Sequence, residues 1–367
     1  MSHSEEDDKS MQKSIEVEYW VVDQDGALTN PGSLTEYSEF VEEEFVYPLL
    51  ELKTPPCETY SALRSTFVEQ LADLLSKADE LGKVLVPLGT PINSESIELR
   101  TTDRSRIQKH VLGDNFAYAK YCAGTHLHFE KRNVTDQLNV LTSLDPALAL
   151  LNSSPYFRGD RVANGARAYI YRKKCYEYFP LHGQLWDYVN TVGQWERQLD
   201  RLFDSFKEAS MKEGVSENDI EASFSPQDIV WTPVRLRGEM PTVEWRAPDT
   251  SLPSQILRVA EEIGAIMEQL HHTEVRIEGD TGNVTDERIT IPEFDTVLTY
   301  VEEAIHDGTE SAELSAYLER MGFDVQAYEP LTQKIDGRDY VSLDEARKIR
   351  LQYGERLKRD VDELTQS

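Results

Sequence analysis

Residues 14–22, Ser14-Ile-Glu-Val-Glu-Tyr-Trp-Val-Val22, alternate polar and apolar side chains and are rich in β-branched and aromatic types. That pattern predicts a β-strand. Side chains two apart on a strand share a face, so Glu16 and Glu18 stand together and Val17 turns the other way. Adjacent carboxylates repel unless a cation lies between them or one keeps its proton. The pair marks this strand as a candidate metal platform.

The same spacing recurs along the chain. Glu51-Leu-Lys53, His126-Leu-His128 and Glu244-Trp-Arg246 each set two polar groups on one strand face and an apolar residue on the other. They fall in predicted strands over 46–54, 122–130 and 243–247. If these strands share one sheet, Glu16, Glu18, Glu51, His126, His128 and Glu244 converge on one surface. A solvated sheet face would explain any one pair. Four such pairs, with two of only 8 histidines spent in one H-x-H, favour a site. Carboxylates with a few imidazoles suit Mg²⁺ or Mn²⁺. Cys57, Cys122 and Cys175 are scattered and form no zinc pattern. Arg158, Arg161 and Arg167 crowd the loop 152–167, while Lys53 and Arg246 stand beside carboxylates. Such cations suit a polyphosphate whose charge a metal and side chains share.

Amphipathic periodicity predicts helices over 58–81, 104–121, 136–151, 184–208 and 254–270, and near 292–305, 309–321 and 343–363. Residues 84–88 read as a short strand, and 234–237 and 243–247 as two strands about a turn. The segment 30–45 reads as a loop or short helix, and 213–228 as a polar, mobile stretch. Strands with alternating apolar patterns, interleaved with helices, predict an α+β fold. Its antiparallel or mixed sheet has one functional face and helices on the other. Neither a Walker nor a Rossmann glycine motif occurs.

The chain has 367 residues, 67 of them acidic and 38 basic, for a formal net charge of −29. This excess disfavours nucleic acid as a partner. No apolar run reaches the roughly 18 residues of a membrane span, so no membrane partner is expected. The polar, acidic residues 1–10 lack secretion-signal features and are expected to be disordered. The expectation is a cytoplasmic protein with one catalytic domain over 11–367, in which 271–367 is a mainly helical C-terminal portion.

In chain order, Ile15-Glu-Val-Glu18, Glu51-Leu-Lys-Thr54, Gly124-Thr-His-Leu-His128, Asn152-Ser-Ser-Pro-Tyr156 with Gly159 and Arg167, and Thr242-Val-Glu-Trp-Arg246 resemble one family. It is the carboxylate–amine ligase family related to glutamate–cysteine ligase, and the acidic composition resembles its haloarchaeal type. The resemblance implies a glutamine synthetase-like fold, with a curved, mainly antiparallel sheet holding divalent ions and ATP on its concave face. It implies Glu16, Glu18, Glu51, His126 and Glu244 as metal ligands, with Mg²⁺ or Mn²⁺ as cofactor and ATP as cosubstrate. Arg246 would contact the transferring phosphate, and Arg167 a phosphate or substrate carboxylate. Lys53, His128, Arg158 and Arg161 would serve substrate or ATP binding.

The implied reaction joins the γ-carboxylate of glutamate to the amino group of cysteine through γ-glutamyl phosphate. A different amine, or a non-catalytic relative that binds metal-nucleotide, are the alternatives. The implied partners are small molecules, and a homo-oligomer is left open. One departure is visible: Asp160-Arg-Val-Ala-Asn-Gly-Ala-Arg167 keeps the Asp and Arg of many relatives but lacks their Thr-Gly.

The acidity is even along the chain, which fits a surface adapted to salt that screens its self-repulsion. Between about 0.1 M and about 1 M KCl the screening length falls from about 10 Å to about 3 Å. The thermal midpoint should rise over that range in a calorimetric scan; a flat or falling midpoint would count against salt adaptation.

Overall fold

The structure is a computed structural model that describes residues 10–177, 179, 181–238, 241–335 and 337–366. The expectation of a disordered N-terminus falls on residues 1–9, outside those described, apart from Ser10. The strands in chain order are β1 (Lys13–Asp23), β2 (Val41–Glu43), β3 (Leu49–Lys53), β4 (Lys83–Val86), β5 (Thr125–Glu130), the short hairpin β6 (Tyr156–Phe157) and β7 (Asp160–Arg161), then β8 (Val234–Leu236) and β9 (Thr242–Trp245). Seven of these form one sheet in the order β2-β3-β1-β5-β9-β8, with β4 also paired to β1. Every pairing in it is antiparallel. The architecture is α+β, as the alternating strands predict.

β1 is the axis of the sheet. β3 lies along one edge, while β5 and β4 share the other edge end to end. The register places Val17 opposite Leu52, and Leu127 opposite Trp245. All four are at most 1% exposed and enter the main core. The helices up to this part of the chain are α1 (Tyr60–Glu80), α2 (Asp103–Leu112), α3 (Val134–Leu144), α4 (Ala166–Lys173), α5 (Val192–Lys212), α6 (Glu217–Ser223), α7 (Pro226–Ile229) and α8 (Pro253–Gln269). Of these, α1, α3 and α8 contribute Phe67, Leu141 and Ile263 to that core, while α2, α6 and α7 place Leu112, Ile220 and Ile229 in a separate cluster.

The opposite face divides into two halves. At its β5 end Glu16 and Glu18 face a cleft. Further along β1, Trp20 and Val22 share their face by strand periodicity, yet they are buried in a second core with Leu49, Val84 and Val86. That core is completed from the C-terminal residues by Leu331, Val341, Ala346 and Tyr353. The helices there are α9 (Phe294–His306), α10 (Ala312–Arg320) and α11 (Leu343–Gln366). α11 is tied down by Arg350, which donates to the carbonyls of Gly26 (2.8 Å), Pro91 (2.9 Å) and Asn93 (2.6 Å). The C-terminal segment therefore covers one half of the sheet face and leaves the charged half open.

Several boundaries differ from expectation. The helix expected from 184 begins at Val192, because the Asn139 side chain holds Val189 in both directions, at 2.8 and 2.9 Å, in a non-helical segment. The 104–121 helix ends at Gly113, whose φ of +67° breaks it, and continues as a 3₁₀ helix. The 136–151 helix changes to 3₁₀ at Asp145-Pro146, where proline removes a donor. The polar stretch 213–228 carries α6 and most of α7, capped by Ser216 and Ser225. Segment 30–45 carries the edge strand β2, too short to show a period. Within 271–367 the helices are joined by a small sheet of β10 (Glu274–Ile277), β11 (Asn283–Val284) and β12 (Arg288–Ile291).

Leu127 is the apolar tooth between the two histidines. Leu127→Ala should destabilise the protein by about 3 kcal/mol in urea unfolding, as for a fully buried leucine. A loss below about 1 kcal/mol would show that this layer does not hold the sheet.

Candidate active site

The register turns the sequence pairs into one cluster. Glu18 lies opposite Glu51, Glu16 opposite both Lys53 and His126, and His128 opposite Glu244. Glu16 is central: one oxygen, Oε2, is 3.2 Å from His126 Nδ1 and 3.3 Å from His128 Nε2. His126 Nδ1 is also 3.7 Å from oxygens of Glu51 and Glu244. Lys53 Nζ lies 2.9 Å from Glu51, 3.9 Å from Glu16 and 2.8 Å from exposed Glu42. Glu18 Oε2 accepts a hydrogen bond from the Gly124 amide at 2.5 Å.

Glu244 is fully buried beneath the cleft floor and is ringed by guanidiniums. Arg235, on β8, donates to both its oxygens at 2.5 and 3.1 Å. Arg246 and Arg237 stand at 3.7 and 3.9 Å. The cleft above has a volume of about 560 Å³ and is bordered by Glu16, Glu18, Glu44, Glu51, Lys53, His126 and the arginines 167, 235, 237 and 246, with Phe116, Tyr171 and Trp231 in its walls.

The electrostatics are those of a crowded, half-dry site. Burial opposes the Glu16 charge, but the imidazoles of His126 and His128 beside it hold its carboxyl well below the usual range. Burial likewise opposes Glu244, and Arg235 and Arg246 outweigh it. Arg235 itself titrates low because of burial and the Arg246 charge, yet the two-pronged contact keeps both partners ionised. Burial, with Glu44 and Glu16 beside it, pushes Glu51 well above the carboxylate range. Burial and Glu18 push half-buried Glu44 up to about 8. His126 is lowered by burial and by Arg246, which favours the neutral ring that metal ligation requires.

These residues fit a hard divalent cation. Three sets each bring one ligand atom per residue within 4.8 Å: Glu16, Glu51 and His126; Glu16, His128 and Glu244; and Glu18, Glu44 and Glu51. Nε2 of His126 is buried with no hydrogen-bond partner among the described residues. So is Nε2 of His128, whose contact with Glu16 lacks hydrogen-bond alignment. Mostly oxygen donors with an imidazole suit Mg²⁺ or Mn²⁺.

The structure brings together Glu16, Glu18, Glu51, Lys53, His126, Glu244 and Arg246. His128 is fully buried behind Glu16, with Nδ1 3.1 Å from Thr242 Oγ1. It does not border the cleft, so a direct substrate contact is not what its position offers. Arg167 borders the cleft but donates to the carbonyls of Ala247 (2.7 Å) and Arg246 (3.4 Å).

Arg158 and Arg161 do not border the cleft. The β6–β7 hairpin carries them elsewhere: Arg158, at φ +51°, packs over Tyr121 at 4.8 Å, and exposed Arg161 donates to Asn164 at 3.1 Å. Residues that the sequence reading missed are Glu44, Arg235 and Arg237. Arg235 sits in Val234-Arg-Leu236, the same apolar–polar–apolar signal as the other strands. Glu44 follows β2 with no pattern to mark it.

By sequence, the chain belongs to glutamate–cysteine ligase family 2, whose model matches residues 12–344. A bifunctional glutathione synthetase from Pasteurella multocida superposes with a TM-score of 0.61 at 15% identity, over 96% of this chain and 53% of its own. The chain thus spans about half the length of that protein. A glutamate–cysteine ligase from Francisella tularensis, in complex with AMP, superposes with a TM-score of 0.52 at 10% identity, over 97% of this chain and 92% of its own. These two likenesses show the fold. No curated protein matches the chain by sequence. Among the described residues, no helix is long and apolar enough to cross a membrane.

Glu16 belongs to two of the three donor sets. Glu16→Gln should weaken Mn²⁺ binding at least about 10-fold in a paramagnetic-resonance titration, with the circular dichroism spectrum unchanged. Wild-type affinity in that variant would remove Glu16 from the ligands.

Proposed function

We propose that the protein is a glutamate–cysteine ligase. It would phosphorylate the γ-carboxylate of L-glutamate with ATP and then let the amino group of L-cysteine displace phosphate, giving γ-glutamylcysteine, ADP and phosphate. The observation that carries this reading is the convergence of buried carboxylates, imidazoles and Arg246 on one cleft, in a chain of this family. The assignment of glutamate and cysteine is drawn from the family description and from the printed name of the Francisella protein.

Glu16, Glu18, Glu44, Glu51, His126, His128 and Glu244 would hold the metal ions. Bound Mg²⁺ or Mn²⁺ would supply positive charge to phosphate oxygens. Arg246 stays charged because burial, which works against it, is outweighed by Glu244. Its role would be to offset the repulsion between the substrate carboxylate and the phosphate and to stabilise the moving charge. Positioning and electrostatics carry phosphoryl transfer, so no protein nucleophile is required. The walls of Phe116, Tyr171 and Trp231 would limit water around the acyl phosphate.

A different amine is the second reading. It is favoured by the loop Asp160–Arg167, which lacks the Thr-Gly of many relatives. Phosphate release from ATP and glutamate should require cysteine and yield γ-glutamylcysteine by mass. Release with another amine but not with cysteine would overturn the cysteine assignment, and Glu244→Gln should abolish release in either case.

A further inference from the structure

Asp249 follows β9 three residues beyond Arg246 and is 1% exposed. Its Oδ2 accepts from the Ser153 amide at 2.9 Å and from the Ser153 hydroxyl at 3.2 Å. Its Oδ1 has no partner among the described residues. Burial pushes this carboxyl up to about 6, and the Arg167 guanidinium is the foremost influence opposing that rise. Arg167 mirrors it: its Nε is buried and without a partner among the described residues, and its other nitrogens donate to the carbonyls of Arg246 and Ala247.

Two glycines make room for the two side chains. A Cβ on Gly89 would lie 2.3 Å from the Asp249 carboxyl carbon, and one on Gly124 would lie 2.1 Å from Arg167 Nη2. The backbone joins the same points. Asp249 bridges Gly124, Thr125 Oγ1 donates to the Asp249 carbonyl at 3.0 Å, and the Ala123 amide donates to the Gly89 carbonyl at 2.9 Å. Gly124 also carries the amide that holds Glu18.

Burial works against a carboxylate with one oxygen lacking an aligned partner. The Ser153 and Ser154 amides and the Ser153 hydroxyl are donors around it. What asparagine cannot supply is negative charge toward Arg167.

We propose that Asp249 is a positioning residue for the ligase reaction. With Arg167, it holds the end of β9 so that Arg246 faces the cleft. Both residues act through the main chain, and neither has to touch substrate. The proposal rests on the reading of Arg246 as the phosphate contact, and it gives Arg167 a positioning role in place of a substrate contact.

The test is a cycle of Asp249→Asn, Arg246→Ala and the double variant in the full chain. ATP affinity would be measured calorimetrically with Mn²⁺ present. Asp249→Asn should fold, keep its Mn²⁺ affinity and lose about 10-fold in ATP affinity, with no further loss once Arg246 is alanine. Its turnover should fall by about 100-fold, as expected for a misplaced reacting group. Wild-type ATP affinity and turnover, an equal loss in the Arg246→Ala background, or a parallel loss of Mn²⁺ binding would each overturn the proposal. If Asp249→Asn yields no folded protein, Arg167→Lys carries the same cycle, since lysine keeps the charge but cannot span two carbonyls. ATP binding needs neither amino acid. These outcomes therefore stand apart from the glutamate–cysteine assignment, which product analysis decides.

Discussion

Mutual repulsion among buried carboxylates is the constraint on which the rest of the structure depends. Glu16, Glu18, Glu51 and Glu244 share one sheet face and are 6%, 8%, 5% and 0% exposed. Two like charges about 4 Å apart in partly screened protein repel by about 4 kcal/mol. The fold answers with Lys53 against Glu51, Arg235 against Glu244, and two imidazoles against Glu16. These partners leave Glu51 and Glu44 strained toward protonation. A divalent cation bound among the donor sets would offset that remaining repulsion.

The two halves of the site face show how one strand serves both packing and chemistry. β1 carries Glu16 and Glu18 into the cleft and Trp20 and Val22 into an apolar core, with no change in its period. The switch is made by what covers each half. Where α11 and the loop around Leu331 and Val341 pack, the face is apolar; where they stop, it is charged. In a chain of net charge −29, the basic residues around Glu244 are drawn from three positions on β8 and just beyond β8 and β9, so cations gather beside the cleft's carboxylates despite the acidic chain.

Much of this was legible in the sequence because strand alternation is a rigid rule. Val17, Leu52, Leu127 and Trp245 are the inward teeth, and knowing them assigns the outward pairs without any knowledge of strand order. What alternation could not show is which loops return to the sheet. Glu44 reaches the cluster from an irregular segment. Arg158 and Arg161 look like cleft arginines by composition, yet a hairpin turns them onto Tyr121 and Asn164. Arg235-Leu-Arg237 obeys the same rule, two cations about an apolar residue in a stretch that reads as a strand. The helix expected from 184 failed for a tertiary reason, the Asn139 side chain, which no local pattern contains.

The alternation also makes folding and chemistry inseparable. A slip of one residue in the pairing of β1 with β5 would turn Leu127 into the cleft and drive His126 and His128 into the apolar core. The mispaired molecule would lose its hydrophobic layer and its ligand set together. Thermodynamic proofreading of the sheet is thus built into the site: the pairing that buries the leucine is the pairing that aligns the histidines.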